Sequence, residues 1–83
     1  MTAMQRIEMC LVNLGYIYTK PNETTIRAHK LEDVNDEIYV KKYRSYYHIV
    51  SDRCKKLSGK RCDRAETTAT DVIMCINAMY GED

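Results

Sequence analysis

The sequence predicts an all-α fold: a compact domain of four helices stapled by disulfides. Three observations carry that prediction. Apolar residues recur at steps of three and four along most of the chain, which places them on one face of a helix. Four cysteines, Cys10, Cys54, Cys62 and Cys75, sit beside or within those stripes, and an even number of cysteines in a short chain reads as a cross-linked, secreted framework. The 83 residues, 45% hydrophobic and 30% charged, suit one globular domain and argue against disorder. So short a chain buries only somewhat over ~60% of its unfolded surface, which makes staples valuable.

In the first helix Ala3, Ile7, Cys10, Leu11 and Leu14 form the stripe, and Thr2 with Gln5 are placed as a capping box. Gly15 follows where a helix often ends. Tyr16-Ile17-Tyr18-Thr19 continues irregularly or extended. Lys20-Pro21-Asn22-Glu23 is a turn, because Pro21 lacks an N–H and pushes Lys20 out of the helical region. A short second helix is expected from about Thr24 to Leu31, with Ile26 and Leu31 facing inward. The third and longest runs from about Asp36 to Leu57, where Val40, Tyr43, Tyr47, Val50, Cys54 and Leu57 step by three and four in alternation. Ser58-Gly59 ends it. The last helix is capped by Asp63 with Glu66 or by Thr68 with Asp71, and the Thr-rich run 67–70 favours the later start. Its buried face is Ala69, Val72, Cys75, Ile76 and Met79.

Four cysteines allow three pairings. Cys62–Cys75 is the least favourable, since within one helix the two would stand ~19 Å apart against the ~7 Å limit of a disulfide. Two pairings remain: Cys10–Cys62 with Cys54–Cys75, or Cys10–Cys75 with Cys54–Cys62. A late start of the last helix favours the first of these.

The runs Ile7-Glu8-Met9-Cys10-Leu11 leading to Tyr16-Ile17-Tyr18, Asp52-Arg53-Cys54, Cys62-Asp63-Arg64-Ala65 and Ile73-Met74-Cys75-Ile76 resemble the insect odorant-binding superfamily, especially its salivary branch in blood-feeding flies. The match is partial: the family's first helix and first cysteine have no counterpart, and Leu14 stands at its third cysteine. The resemblance implies an all-helical, odorant-binding-like fold and the pairing Cys10–Cys62 with Cys54–Cys75. It also implies capture of a small ligand, a hydrophobic odorant or lipid or a biogenic amine. On the tyrosine-bearing stripe, the residues expected to line such a pocket are Tyr18, Tyr43, Tyr47, Val50, Val72 and Ile76, with rings giving contact area and hydroxyls orienting the ligand.

Charge supplies a second reading. Residues 41–64 hold nine of the thirteen basic residues against two acids, a balance of +7, while the rest of the chain carries −6. Lys41, Lys42, Arg44, Arg53, Lys55, Lys56, Lys60 and Arg61 are the candidates for contact with an anionic polymer or surface. A nucleic acid is a weaker form of that idea, with Tyr46 and Tyr47 as stacking partners, and no specific nucleic acid is expected. A third reading is a reduced, intracellular helical adaptor, which follows if the cysteines are thiols.

No enzyme is predicted. His29 and His48 are too far apart in sequence to form a helical pair, and nothing pairs a cysteine with a histidine as a nucleophile. The cysteines lack the close knuckle of a structural zinc site, three glycines cannot build a phosphate loop, and no metal or cofactor is called for. Asn22-Glu23-Thr24 is a glycosylation sequon if the protein is secreted. No apolar leader precedes the first helix, so a secreted location rests on the cysteines alone. No window is apolar for the ~18 residues a spanning helix needs.

Overall fold

The computed structural model describes residues 1–51 and 62–80. Helix α1 (Ala3–Asn13) is followed by strands β1 (Tyr16–Asn22), β2 (Thr25–Lys30), β3 (Asp33–Lys42), β4 (Tyr47–Ser51) and β5 (Cys62–Glu66), and helix α2 (Ala69–Tyr80) comes last. The strands make one antiparallel sheet in which each pairs with the next along the chain. Successive elements alternate in direction, so α1, β2, β4 and α2 run one way and β1, β3 and β5 the other. The N-termini of both helices and the β3–β4 turn therefore share one end of the domain.

The all-α, four-helix expectation is thus corrected to α+β, and the odorant-binding-like frame implied by the resemblance is overturned with it. The helices expected at about Thr24–Leu31 and in the first half of Asp36–Leu57 are strands. Their buried side chains recur at a period of two: Ile26 and Ala28 on β2, Ile38 and Val40 on β3, Tyr47, Ile49 and Ser51 on β4, all facing the helices. That period belongs to a pleated strand and to no helix. Ile38-Tyr39-Val40 and Tyr47-His48-Ile49-Val50 are also dense in β-branched and aromatic residues, which fit a half-buried pleated surface. The helical stripe is split by the real structure. Val40 and Tyr47 point into the core, while Tyr43 and Val50 lie on the opposite face.

Both terminal helices form as the sequence predicts. The Gln5 amide donates to Thr2 Oγ1 (3.1 Å) and the Thr2 amide to Gln5 Oε1 (2.8 Å), completing the capping box of α1. Gly15 turns the chain into β1 with φ of 87°, a conformation that costs glycine little. The Asp71 amide donates to Thr68 Oγ1 (3.1 Å), so α2 takes the later of its two possible starts. The helices pack side by side on one face of the sheet, α1 over β1 and α2 over β4 and β5. Arg6 donates to Thr70 Oγ1 (2.9 Å) across the helix pair. Ile7, Leu11, Val72 and Ile76 close over Ile26, Ile38, Val40 and Ile49, all fully buried. Each such side chain is worth about 1.5–3 kcal/mol of burial. Among the described residues, no helix packs on the opposite face of the sheet.

The disulfide prediction is also corrected. Cys10 and Cys75 are thiols, which removes both Cys10–Cys62 and Cys54–Cys75. Cys10 faces α2, where its Sγ–H donates to Asn77 Oδ1 (3.5 Å). Cys62 opens β5, at the opposite edge of the sheet from β1. Cys54 lies outside the described residues. No helix among the described residues is long and apolar enough to cross a membrane.

Candidate functional site: the basic and aromatic end of a hairpin

Strands β3 and β4 are joined by the four residues 43–46, across which the Tyr43 amide donates to the Tyr46 carbonyl (2.8 Å). None of the four takes positive φ. Hairpin loops of that length are most often built around a type I turn, which needs none. Here Tyr43 and Tyr46 stack across the loop, with ring centroids 4.9 Å apart and planes within 15°. Lys41 Nζ stands 5.2 Å from the Tyr43 centroid, within cation–π range. The His48 ring lies 6.5 Å from Tyr43, tilted, and its Nε2 is hydrogen-bonded to Asp63 Oδ1 on β5. Lys41, Tyr43, Tyr46 and His48 all lie on the sheet face away from the helices.

Several charges elsewhere on the described residues are paired. Arg27 pairs with Glu37 (3.1 Å), Arg64 with Glu66 (3.2 Å) and Lys20 with Glu8 (3.3 Å). Among the described residues, no carboxylate lies within ion-pair distance of Lys41, Lys42 or Arg44. Three cations within four positions, two aromatic faces and an open sheet surface make a local concentration of positive potential beside exposed rings. Such a surface attracts anions at long range and holds them through short contacts.

The sequence-predicted basic set is divided by the fold. Lys41, Lys42 and Arg44 gather at the hairpin. Arg53, Lys55, Lys56, Lys60 and Arg61 lie outside the described residues; the positions that bound that segment, Ser51 and Cys62, stand at the far end of β4 from the hairpin. That strand of five residues spans about 16 Å.

The six predicted pocket residues are split by the fold. Tyr47, Val72 and Ile76 share the core, and Tyr18 packs against it. Tyr43 is at the hairpin tip, and Val50 faces outward beside Arg27, Glu37 and Tyr39 in a shallow depression of about 340 Å³. Tyr18, on the helix side of β1, donates its hydroxyl to Glu8 Oε1 (2.9 Å). That hydrogen bond, then the carboxylate's charge and then burial hold the Tyr18 pKa above its ordinary value. Tyr18 and Glu8 line a groove of about 540 Å³ beside α1 with Met1, Gln5, Met9 and Val12. A neighbouring groove of about 330 Å³ runs past Cys10 between α1 and α2, and burial pushes the Cys10 thiol pKa up.

Of the two rings expected to stack on a nucleic acid, Tyr47 is buried in the core, while Tyr46 stays exposed and stacks on Tyr43. Separate period-two readings, one running on from Ile38 and Val40 and one running back from Tyr47 and Ile49, assign Tyr43 and Tyr46 outward and Tyr47 inward, and this was the available signal. The His48–Asp63 contact had none, because it depends on pairing β4 with β5. Among the described residues no cluster of His, Cys, Asp and Glu is arranged to hold a metal ion. No family model, curated protein or solved structure matches this chain.

Proposed function

We propose that this chain is a polyanion-binding module that uses the end of its β3–β4 hairpin as the contact surface. The observation that carries the reading is the set Lys41, Lys42 and Arg44, exposed or half-exposed and with no carboxylate partner among the described residues. A solvated charge run in a domain of net charge +1 needs no such local imbalance. Binding of this kind is steered by unpaired cations and weakens steeply with salt. The test is retention on immobilised heparin across a salt gradient. The parent should be retained in dilute salt and released as salt rises, and the triple reversal Lys41→Glu, Lys42→Glu, Arg44→Glu should pass through while remaining folded. Retention unaffected by the reversal refutes the proposal, as does no retention of the parent in dilute salt.

A second reading, capture of a small amphipathic amine, has one observation in its favour. The groove beside α1 sets the Glu8 carboxylate and the Tyr18 hydroxyl among Met1, Met9 and Val12, an acceptor pair within an apolar lining. Calorimetric titration with aromatic and aliphatic amines tests it. No binding tighter than ~100 μM, a free energy of only about −5.5 kcal/mol, ends this reading.

A further inference from the structure

We infer that the anionic partner is single-stranded nucleic acid, with a base stacked on the Tyr43–Tyr46 pair and flanking phosphates held by Lys41, Lys42 and Arg44. The inference rests on the polyanion reading and narrows it to one chemical class. Heparin and acidic membranes present charge without aromatic faces, and a duplex keeps its base faces stacked inside. A single strand alone offers negative charge and free π-faces together.

The rings are placed for such a partner. Tyr43 and Tyr46 are each 38% exposed, an unusual allowance for two large rings that already share a face. Tyr43 is sandwiched between Tyr46 and the Lys41 ammonium. Among the described residues no ring or cation covers the far face of Tyr46. An incoming base would extend the Tyr43–Tyr46 stack by one layer on the Tyr46 side. The stack also ties the hairpin ends together, but that role uses only the shared face. It does not account for Lys41, Lys42 and Arg44, which have no carboxylate partner among the described residues. A stacking platform accepts any base, so binding should show little sequence preference.

The test compares a fluorescein-labelled oligothymidylate of about 12 nucleotides with the same length of duplex, with heparin and with phosphatidylserine vesicles. Tyr46→Leu keeps an apolar contact across the hairpin and removes the ring; Tyr46→Phe keeps the ring and removes the hydroxyl. Tyr46→Leu should weaken oligothymidylate binding roughly 5- to 150-fold, the equivalent of about 1–3 kcal/mol for one stacked base. Its heparin retention should not change, and Tyr46→Phe should bind both like the parent. The chain has no Trp, so its emission comes from tyrosine, and oligothymidylate but not heparin should quench it in the parent. That readout stands even if Tyr46→Leu fails to fold. Heparin retention together with oligothymidylate binding that is indifferent to Tyr46, or with no quenching, overturns this inference and leaves the polyanion reading intact. Preference for duplex or for vesicles overturns it too. Failure to bind any of these polyanions in dilute salt overturns both.

Discussion

Adjacent residues on β4 give the most direct test of the architecture. Ile49 is fully buried beneath the helices, and Val50, its neighbour, is half-exposed on the open face. In a helical reading of the same segment the order is reversed, because Val50 lies on the stripe through Val40, Tyr43 and Tyr47 while Ile49 falls off it. Replacing a buried Ile by Ala removes three carbons and leaves a cavity, at a cost of about 2–5 kcal/mol. Val50→Ala removes two partly solvated methyl groups and should cost no more than about 1 kcal/mol, most of it lost strand propensity. At ~0.05–0.15 kcal/mol per residue the whole domain is stable by only about 4–12 kcal/mol. Ile49→Ala thus takes a large share of the total. With a urea slope near ~1 kcal/mol/M, its midpoint should fall by about 2 M or more, against about 1 M or less for Val50→Ala. Equilibrium urea denaturation followed by far-ultraviolet circular dichroism measures both. An Ile49→Ala chain that does not fold, beside a folded Val50→Ala chain, gives the same order. A larger loss for Val50→Ala than for Ile49→Ala refutes the strand, its register and the core built on it.

Alkylation in denaturant without prior reduction should label Cys10 and Cys75, with the sites assigned by peptide mapping; a Cys10–Cys62 bridge contradicts the structure. In the folded protein Cys10 should react more slowly than a small free thiol near neutral pH and accelerate in alkali, because burial raises its pKa and leaves less thiolate. Tyr18, raised by its hydrogen bond to Glu8, should ionise after the exposed tyrosines in an ultraviolet titration. Glu8→Gln should bring that step to lower pH, and Tyr18→Phe should delete it. The unfolded chain loses this proton first, so the stabilisation from Tyr18 is fully present below about pH 10 and is lost as pH rises through the folded pKa. A titration curve unchanged by Glu8→Gln rules out the contact.

The ends of the chain were legible and its middle was not, for a physical reason. α1 and α2 are amphipathic helices with their own capping chemistry, so Thr2, Gln5, Gly15, Thr68 and Asp71 could be read locally. The strands depend on partners far along the chain. Val40, Tyr43, Tyr47 and Val50 satisfy a helical spacing by coincidence, and the competing period of two in Ile38 and Val40, then Tyr47 and Ile49, was the better guide. The connection 43–46 hides the hairpin, because it lacks the Asn-Gly or Asp-Gly signature of a tight turn. The cysteines misled through their even number, which is equally compatible with thiols packed as small apolar groups. Lys41, Lys42 and Arg44 were identified as candidate contacts from charge alone.

The parallel course of α1 and α2 gives the molecule an electrical axis. Helices packed side by side in the same direction add their macrodipoles, each about half a positive charge at its N-terminus, and they pay for this in mutual repulsion. The Thr2–Gln5 box and Asp71 in the first turn of α2 moderate that repulsion locally. Both positive poles point to the end of the domain that bears Lys41, Lys42 and Arg44. For the polyanion proposed above, these poles would favour a hairpin-first approach, an effect on the rate of encounter more than on the affinity reached after docking.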